Sequence, residues 1–276
     1  MIKHVILDTD IGGDPDDVLA LLFGLYSPEI QIDLIVTSDE HKGHRAEFAR
    51  QILMKLGKVV PVIKGSDLGN NRCCVICDLV EVDVSTSNYL PAVRQVIQNN
   101  LKTYYICIGP QTNLATFIEF APELVSKLEV VIMGGAINYR KVDHNIRYDV
   151  KSARKVFASD INMRWVLRNT TFNPALKINK RHPIYKRLKE SVLTAKEMLI
   201  KNFQNYFNKL HSSTIMHDPL TLSYVINPKF ITFEEKRIEM DKGGGFQFSE
   251  RGRLLTVSTA ASYQKFMDFF NRRLPF

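Results

Sequence analysis

Long hydrophobic runs are absent from this chain of 276 residues. No stretch approaches the roughly 20 apolar residues that a membrane-spanning helix requires. Internal repeats, low-complexity tracts and an obvious linker are missing too, which excludes solenoids and disordered arrays. Cysteine is scarce: Cys73, Cys74 and Cys77 are bunched and Cys107 stands apart. That pattern argues against a disulfide framework and for reduced cytosolic thiols. Cys74-Val75-Ile76-Cys77 has the spacing of a redox or zinc pair, yet no second pair or suitably spaced His accompanies it in the sequence. The N-terminus enters an apolar run at once, leaving no room for a signal peptide, so a cytoplasmic protein is expected. Basic residues outnumber acidic ones by 37 to 29, a net charge of +8, but they are scattered, with mild clusters at Lys177–Arg187 and Arg272–Arg273. Without an aromatic-interleaved stripe or a nucleic-acid motif, the excess reads as a solvated lysine-rich face rather than a nucleic-acid partner.

What is present is an ordinary globular balance, 45% hydrophobic and 24% charged, in a chain long enough to bury a large core. Apolar strand candidates at 31–37, 59–63, 103–108 and 128–133, with a weaker one at 163–167, alternate with helical spacing at 44–56, 90–99, 113–120 and 150–158. That alternation predicts an α/β fold, an open, mostly parallel (mixed) sheet flanked by helices with a Rossmann-like core. Ligands of such sheets bind at the carboxyl ends of the strands. From about 180 the pattern turns helical and irregular, with candidates at 183–210 and 259–273. The expectation is one domain over 1–276, its mainly helical C-terminal portion packing near the site.

The densest chemistry is at the start. Val5-Ile6-Leu7 reads as a buried parallel strand and runs into Asp8-Thr9-Asp10-Ile11-Gly12-Gly13-Asp14-Pro15-Asp16-Asp17, then the apolar Val18-Leu19-Ala20-Leu21-Leu22. Gly12-Gly13 permits a tight turn, and Asp14-Pro15 marks a helix start with Asp at the N-cap and Pro at N1. Asp16 and Asp17 fall in the first turn, where the helix dipole favours negative charge. Asp8 and Asp10 share one side of the strand end. A capped, solvated turn explains Asp14; it does not explain carboxylates directly after a buried strand. Like charges crowded this closely call for a cation or a reaction.

Further along, the strand ending Ile106-Cys107-Ile108 enters Gly109-Pro110-Gln111-Thr112-Asn113, a turn able to expose backbone carbonyls to a hard cation. Met133-Gly134-Gly135 follows another strand, and Asp143-His144-Asn145 precedes a helix from Asp149. Late in the chain, His217-Asp218-Pro219 sets an imidazole beside a carboxylate that is also a natural N-cap.

These blocks, in this order, resemble the nucleoside hydrolases of the inosine–uridine-preferring type from residue 3 to about 225, most specifically in the acid-rich motif. The resemblance implies hydrolysis of the N-glycosidic bond of a ribonucleoside, a step of nucleoside metabolism and salvage, through an oxocarbenium-like transition state. It implies Ca²⁺ held by Asp10, Asp17, Asp218 and the carbonyl of Ile108, with Asp10 also the general base toward a metal-bound water. Asp16 and Asn145 would hold the ribose 2′ and 3′ hydroxyls, Asp143 the 5′-hydroxyl, and His217 would protonate the leaving base. Met133 joins the substrate shell, Asp8 supports the ligands, and a homo-oligomer, dimer or tetramer, is implied. Four departures stand out. The acidic motif is two residues longer than usual, and the gapped register that keeps Asp16-Asp17 before the apolar helix is preferred. A sugar-binding Asn after the second strand is replaced, His41 being the candidate, and the usual Asn of the short loop between Gly135 and Asp143 has no clear match, Asn138 being a candidate. A His-bearing segment near residue 80 is not recognisable. Two other readings compete: a phosphatase of the haloacid dehalogenase class with Asp8 as nucleophile and Mg²⁺, and a non-catalytic nucleoside binder on the same scaffold.

Overall fold

The computed structural model describes residues 2–70, 72–82 and 88–276. Its strands are β1 (Lys3–Thr9), β2 (Ile30–Thr37), β3 (Val62–Lys64), β4 (Thr103–Cys107), β5 (Leu128–Met133), β6 (Met163–Val166), β7 (Lys177–Asn179), β8 (Ser213–Ile215), β9 (Ile231–Met240), β10 (Phe246–Phe248) and β11 (Arg253–Ala261). Its helices are α1 (Pro15–Leu25), α2 (His44–Lys55), α3 (Leu90–Asn99), α4 (Thr112–Phe120), α5 (His144–Tyr148), α6 (Val150–Ala158), α7 (Arg168–Thr171), α8 (Pro183–Glu190), α9 (Lys196–Lys209), α10 (His217–Ile226) and α11 (Tyr263–Arg273).

Nine strands form one sheet in the order β10-β9-β11-β6-β5-β4-β1-β2-β3, and β7 pairs with β8 separately. The stretch from β3 to β11 is parallel, whereas β9 runs antiparallel to both β11 and β10. Residues alternate between the faces as strand geometry demands. Val5 and Leu7 join one apolar cluster with α1, α2, α9, α10 and α11, while Ile6 joins another with α3, α4 and α6. Burial on both faces explains why these strands read as continuous apolar runs. β1 is flanked by β2 on one side and β4 on the other, so the chain reverses its direction of strand addition there. This is the topological switch point, where the crevice of an open α/β sheet lies.

The parallel half matches expectation closely; the second half does not. Beyond residue 180 the chain is not helical throughout, because β9, β10 and β11 extend the same sheet beside α8 to α11. β9 reads Ile-Thr-Phe-Glu-Glu-Lys-Arg-Ile-Glu-Met, and its exposed charged side chains erase the period-2 signal that a one-sided sheet shows. The expected helix over 183–210 is two helices broken at Ser191–Ala195, and the one over 259–273 starts only at Tyr263, its first residues completing β11. The 59–63 candidate shortens to Val62–Lys64.

Caps bind the parallel units together. Asp149 ends α5 and caps α6, accepting from the Ser152 amide at 3.0 Å and from Thr112 Oγ1, at the start of α4, at 2.7 Å. Burial works to raise its pKa, but the bonds from Ser152 and Thr112 prevail and hold it below the ordinary carboxylate range. A depressed carboxylate contributes stability that is present above its unfolded pKa of about 3.9 and is lost as pH falls through the lower folded value. Asp149→Ala is therefore expected to destabilise the fold by about 1–2 kcal/mol at neutral pH in urea titrations. The deficit should shrink below about pH 4, where the parent loses the same contribution.

Candidate active site

The acids of the opening motif sit at the carboxyl end of β1, in the turn that follows, or in the first turn of α1. Asp14 is the N-cap of α1 and Pro15 its N1 residue. Gly12 adopts φ +93°, and a Cβ there would strike the side chain of Ile76, so the turn needs a residue free of both constraints. Asp14 accepts from Tyr206 Oη on α9 and Thr214 Oγ1 on β8, which turns it away into the fold. Asp16 and Asp17 instead meet Asp218 of α10, the three offering buried carboxylate oxygens within 4.8 Å of one another. That grouping suits the gapped register, in which Asp14 is a cap.

The cluster is tied in place. Asp16 Oδ2 accepts from the Asp218 amide at 3.2 Å, and Asp17 Oδ1 accepts from Thr9 Oγ1 at 2.5 Å. Burial, followed by mutual repulsion, pushes all three carboxyls well above the usual range, with the charge of Asp10 acting on both Asp17 and Asp218. Three buried oxygen donors from carboxylates suit a hard divalent cation, which would neutralise what otherwise repels. The residues present fit a metal ion.

β4 and β5 close the crevice. Asn145 Nδ2 donates to the Ile108 carbonyl at 2.9 Å and to the Met133 carbonyl at 3.1 Å, joining the ends of both strands. The Ile108 carbonyl thus keeps one lone pair for another partner. Asp143 caps α5, accepting from the Asn145 amide at 3.1 Å, and burial raises its pKa despite that bond. Gly109 follows Ile108, and a Cβ on it would come within 3.0 Å of Asp10 Oδ1 and collide with Ser38 Oγ. Beneath the acids, Asp8 accepts from Tyr105 Oη at 2.7 Å and Asn113 Nδ2 at 2.9 Å, and burial raises its pKa to about 7.

His217 opens α10, half-buried beside Asp218, with Nδ1 2.6 Å from Thr171 Oγ1 and its ring stacked on Phe172. Burial, then the positive charge of Arg168, pushes its pKa down to about 3, so the ring is neutral at physiological pH. His41 belongs to a separate group: its ring stacks on His44 at 5.3 Å, and both stand beside Cys77. Asn138 holds a left-handed φ of 59° and donates its amide to the Phe246 carbonyl at 3.2 Å, tying the loop after β5 to β10. Residue 80 belongs to the segment that follows Cys77; positions 83–87 lie outside the described residues.

Sequence reasoning passed over Arg45 and the work of Asn113. Arg45 is fully buried, donating from Nη1 to the carbonyls of Asp10 and Ile11, from Nε to the Asp39 carbonyl at 2.8 Å, and pairing with the Asp39 carboxylate at 3.5 Å. One signal was available. Arg45 falls on the stripe of Phe48, Ala49, Ile52 and Leu53 that α2 buries, the wrong place for a solvated charge. Asn113 bridges Asp8, the Thr37 carbonyl and the Ser66 amide, fastening β1, β2 and the loop after β3.

The profile of the inosine–uridine-preferring nucleoside hydrolases matches residues 5–268 of this chain. The chain belongs to that family. It is an enzyme of N-glycosidic bond cleavage on ribonucleosides, and the phosphatase reading falls with that assignment. The pyrimidine-specific ribonucleoside hydrolase RihA of Escherichia coli is 24% identical over the whole of this chain and 99% of its own length. RihA of Salmonella paratyphi A is 25% identical over 89% of this chain and 86% of its own. Among solved structures, the purine-preferring ribonucleoside hydrolase of Gardnerella vaginalis superposes with a TM-score of 0.81 at 19% identity, covering 99% of this chain and 98% of its own. A plant nucleoside hydrolase superposes with a TM-score of 0.83, also at 19% identity, over 99% of both chains.

Arg45→Met should expose the cost of unpairing the turn. It strands the buried Asp39 carboxylate and leaves the Asp10 carbonyl without its donor, so a loss of about 3–5 kcal/mol is expected in chemical denaturation.

Proposed function

We propose that the chain hydrolyses the N-glycosidic bond of a ribonucleoside with Ca²⁺ in the crevice, yielding free base and ribose. The observation that carries this is the meeting of Asp16, Asp17 and Asp218 at the sheet's switch point, in a chain matched almost end to end by the family profile. Asp10, Asp17, Asp218 and the Ile108 carbonyl would hold the ion; all-oxygen donors favour Ca²⁺ over softer metals. When bound, the ion would neutralise these carboxylates and acidify a water in its shell.

The protein's own groups would do the rest. Asp10 accepts the proton of the attacking water as general base. Asp16, steadied by the Asp218 amide, presents its free oxygen to the ribose diol, as does the Asn145 side-chain oxygen, and Asp143 faces the 5′-hydroxyl. Met133 supplies an apolar wall beside the Asn145 amide. The carboxylates around the sugar stabilise positive charge as the glycosidic bond breaks. His217, neutral in its buried setting, assists the departing base by hydrogen-bond donation from its ring N–H rather than as an imidazolium.

Asp10→Asn is expected to lower kcat about 10²–10⁴-fold with the fold intact, the range typical of losing a general base. Asp17→Asn should raise the Ca²⁺ concentration needed for half-maximal rate. The direct test is release of reducing sugar from a panel of uridine, cytidine, inosine and adenosine, with and without EDTA. Release that EDTA abolishes and Ca²⁺ restores is expected. Calcium-loaded protein that binds nucleoside in calorimetry yet releases no ribose would instead identify a binder.

A further inference from the structure

A second group of ligating side chains stands near the acids, and the proposed hydrolysis uses none of it. His41 and His44 lie at the turn from β2 into α2, and the structure brings them to Cys77, with one ligand atom from each of the three within 4.8 Å of the others. Cys74 Sγ lies 3.4 Å from Cys77 Sγ. Cys77 of the Cys-x-x-Cys pair thus meets a His-x-x-His pair from more than 30 residues upstream, with Cys74 standing beside Cys77.

Two details point to a built site. His44 Nδ1 is 2.8 Å from the His41 carbonyl oxygen, so Nδ1 carries the proton and donates, leaving the Nε2 lone pair free. A ring nitrogen anchored on a backbone carbonyl is the usual second contact of a metal-binding histidine. The turn that presents the two rings is held in an unusual form, with left-handed φ values at Asp39 (45°), Lys42 (52°) and Gly43 (94°). Such backbone at non-glycine residues persists where the surroundings impose it. Burial pushes the Cys74 thiol up to about 12 despite the nearby Arg45 charge, so metal binding would displace its proton.

We propose that His41, His44 and Cys77 form a structural zinc site, with Cys74, beside Cys77, moving in as its fourth ligand. Two thiolates and two imidazoles select Zn²⁺ over Ca²⁺ or Mg²⁺, and with Zn²⁺ the set is electrically neutral. A tetrahedral ion with Zn–S distances of about 2.3 Å places its two sulfurs roughly 3.8 Å apart, close to the separation the cysteines already have. The ion would staple the turn before α2 to the 72–82 segment. That segment covers the acid-bearing turn: the Val75 amide donates to the Gly12 carbonyl at 2.9 Å, and Asn205 Nδ2 on α9 donates to the Val75 carbonyl at 2.7 Å. His41 thereby becomes a metal ligand instead of a sugar contact.

The test uses the full chain, reduced and anaerobic, titrated with Zn²⁺ or Co²⁺ in excess Ca²⁺. About one zinc per chain should remain bound, and the cobalt form should show thiolate-to-cobalt charge-transfer absorption with the visible bands of a tetrahedral ion. Cys77→Ser, at an exposed position, and His44→Ala should each weaken zinc binding at least about 100-fold with unchanged circular dichroism, while Asp17→Asn retains both the zinc and the cobalt spectrum. Chelation should lower the Tm of the parent but not of Cys77→Ser. The proposal is overturned by cobalt spectra without a sulfur band, or by parental zinc affinity in Cys77→Ser. A Cys74–Cys77 disulfide whose reduced form takes up no zinc overturns it equally.

Discussion

Carboxylates that must sit together out of water are the constraint around which this molecule is organised. Asp16, Asp17 and Asp218 are buried within reach of one another, with Asp10 close enough for its charge to be felt. Left alone they would part or take up protons, so neighbours must oppose both. The Asp218 amide and Thr9 hydroxyl grip individual oxygens. Arg45 sits below with its charge inside the protein, its donors spent on the backbone of the same turn. The helix dipole of α1 adds its positive end. None of these groups completes the neutralisation, and a site short of positive charge is one that receives a cation.

The sheet supplies the geometry this requires. β1 lies between β2 and β4, so the ends of three parallel strands open at one point, and Asn145 laces the ends of β4 and β5 across it. Asn113 does the same one layer down, gripping Asp8, Thr37 and Ser66 at once. Two asparagines thus convert a set of strand ends into a rigid cup. Both use the side-chain amide for the same reason, since it donates to two carbonyl or carboxylate oxygens without adding charge.

The first strand, its acidic turn and the cap at Asp14 were readable because each rests on local chemistry: an apolar run, paired glycines, and Asp before Pro. The parallel strands were readable for the same reason. What escaped has its cause in distance or in exposure. β9 carries charge along its length because it lies toward the sheet's edge, so its pattern mimics a polar helix or loop. Arg45 resembles any helix arginine until its neighbours on the buried stripe are counted. The two histidines and Cys77 lie on separate segments, and only the packing of the 72–82 segment over Gly12 brings them face to face.

The anchoring of Asp14 has a consequence for how the molecule is assembled. Its carboxylate is gripped by Tyr206 and Thr214, and Asn202 reaches the Gly13 carbonyl, across separations of 192, 200 and 189 residues. Contacts of that span close late, because a long loop must be ordered before they reward it. The strand and helix that carry the first acids can form early from local signals, but the turn between them stays unclamped until α9 and β8 arrive. The crevice is therefore among the last features to set, and an incompletely folded chain would hold its parallel strands in order while its acids remained free to drift apart.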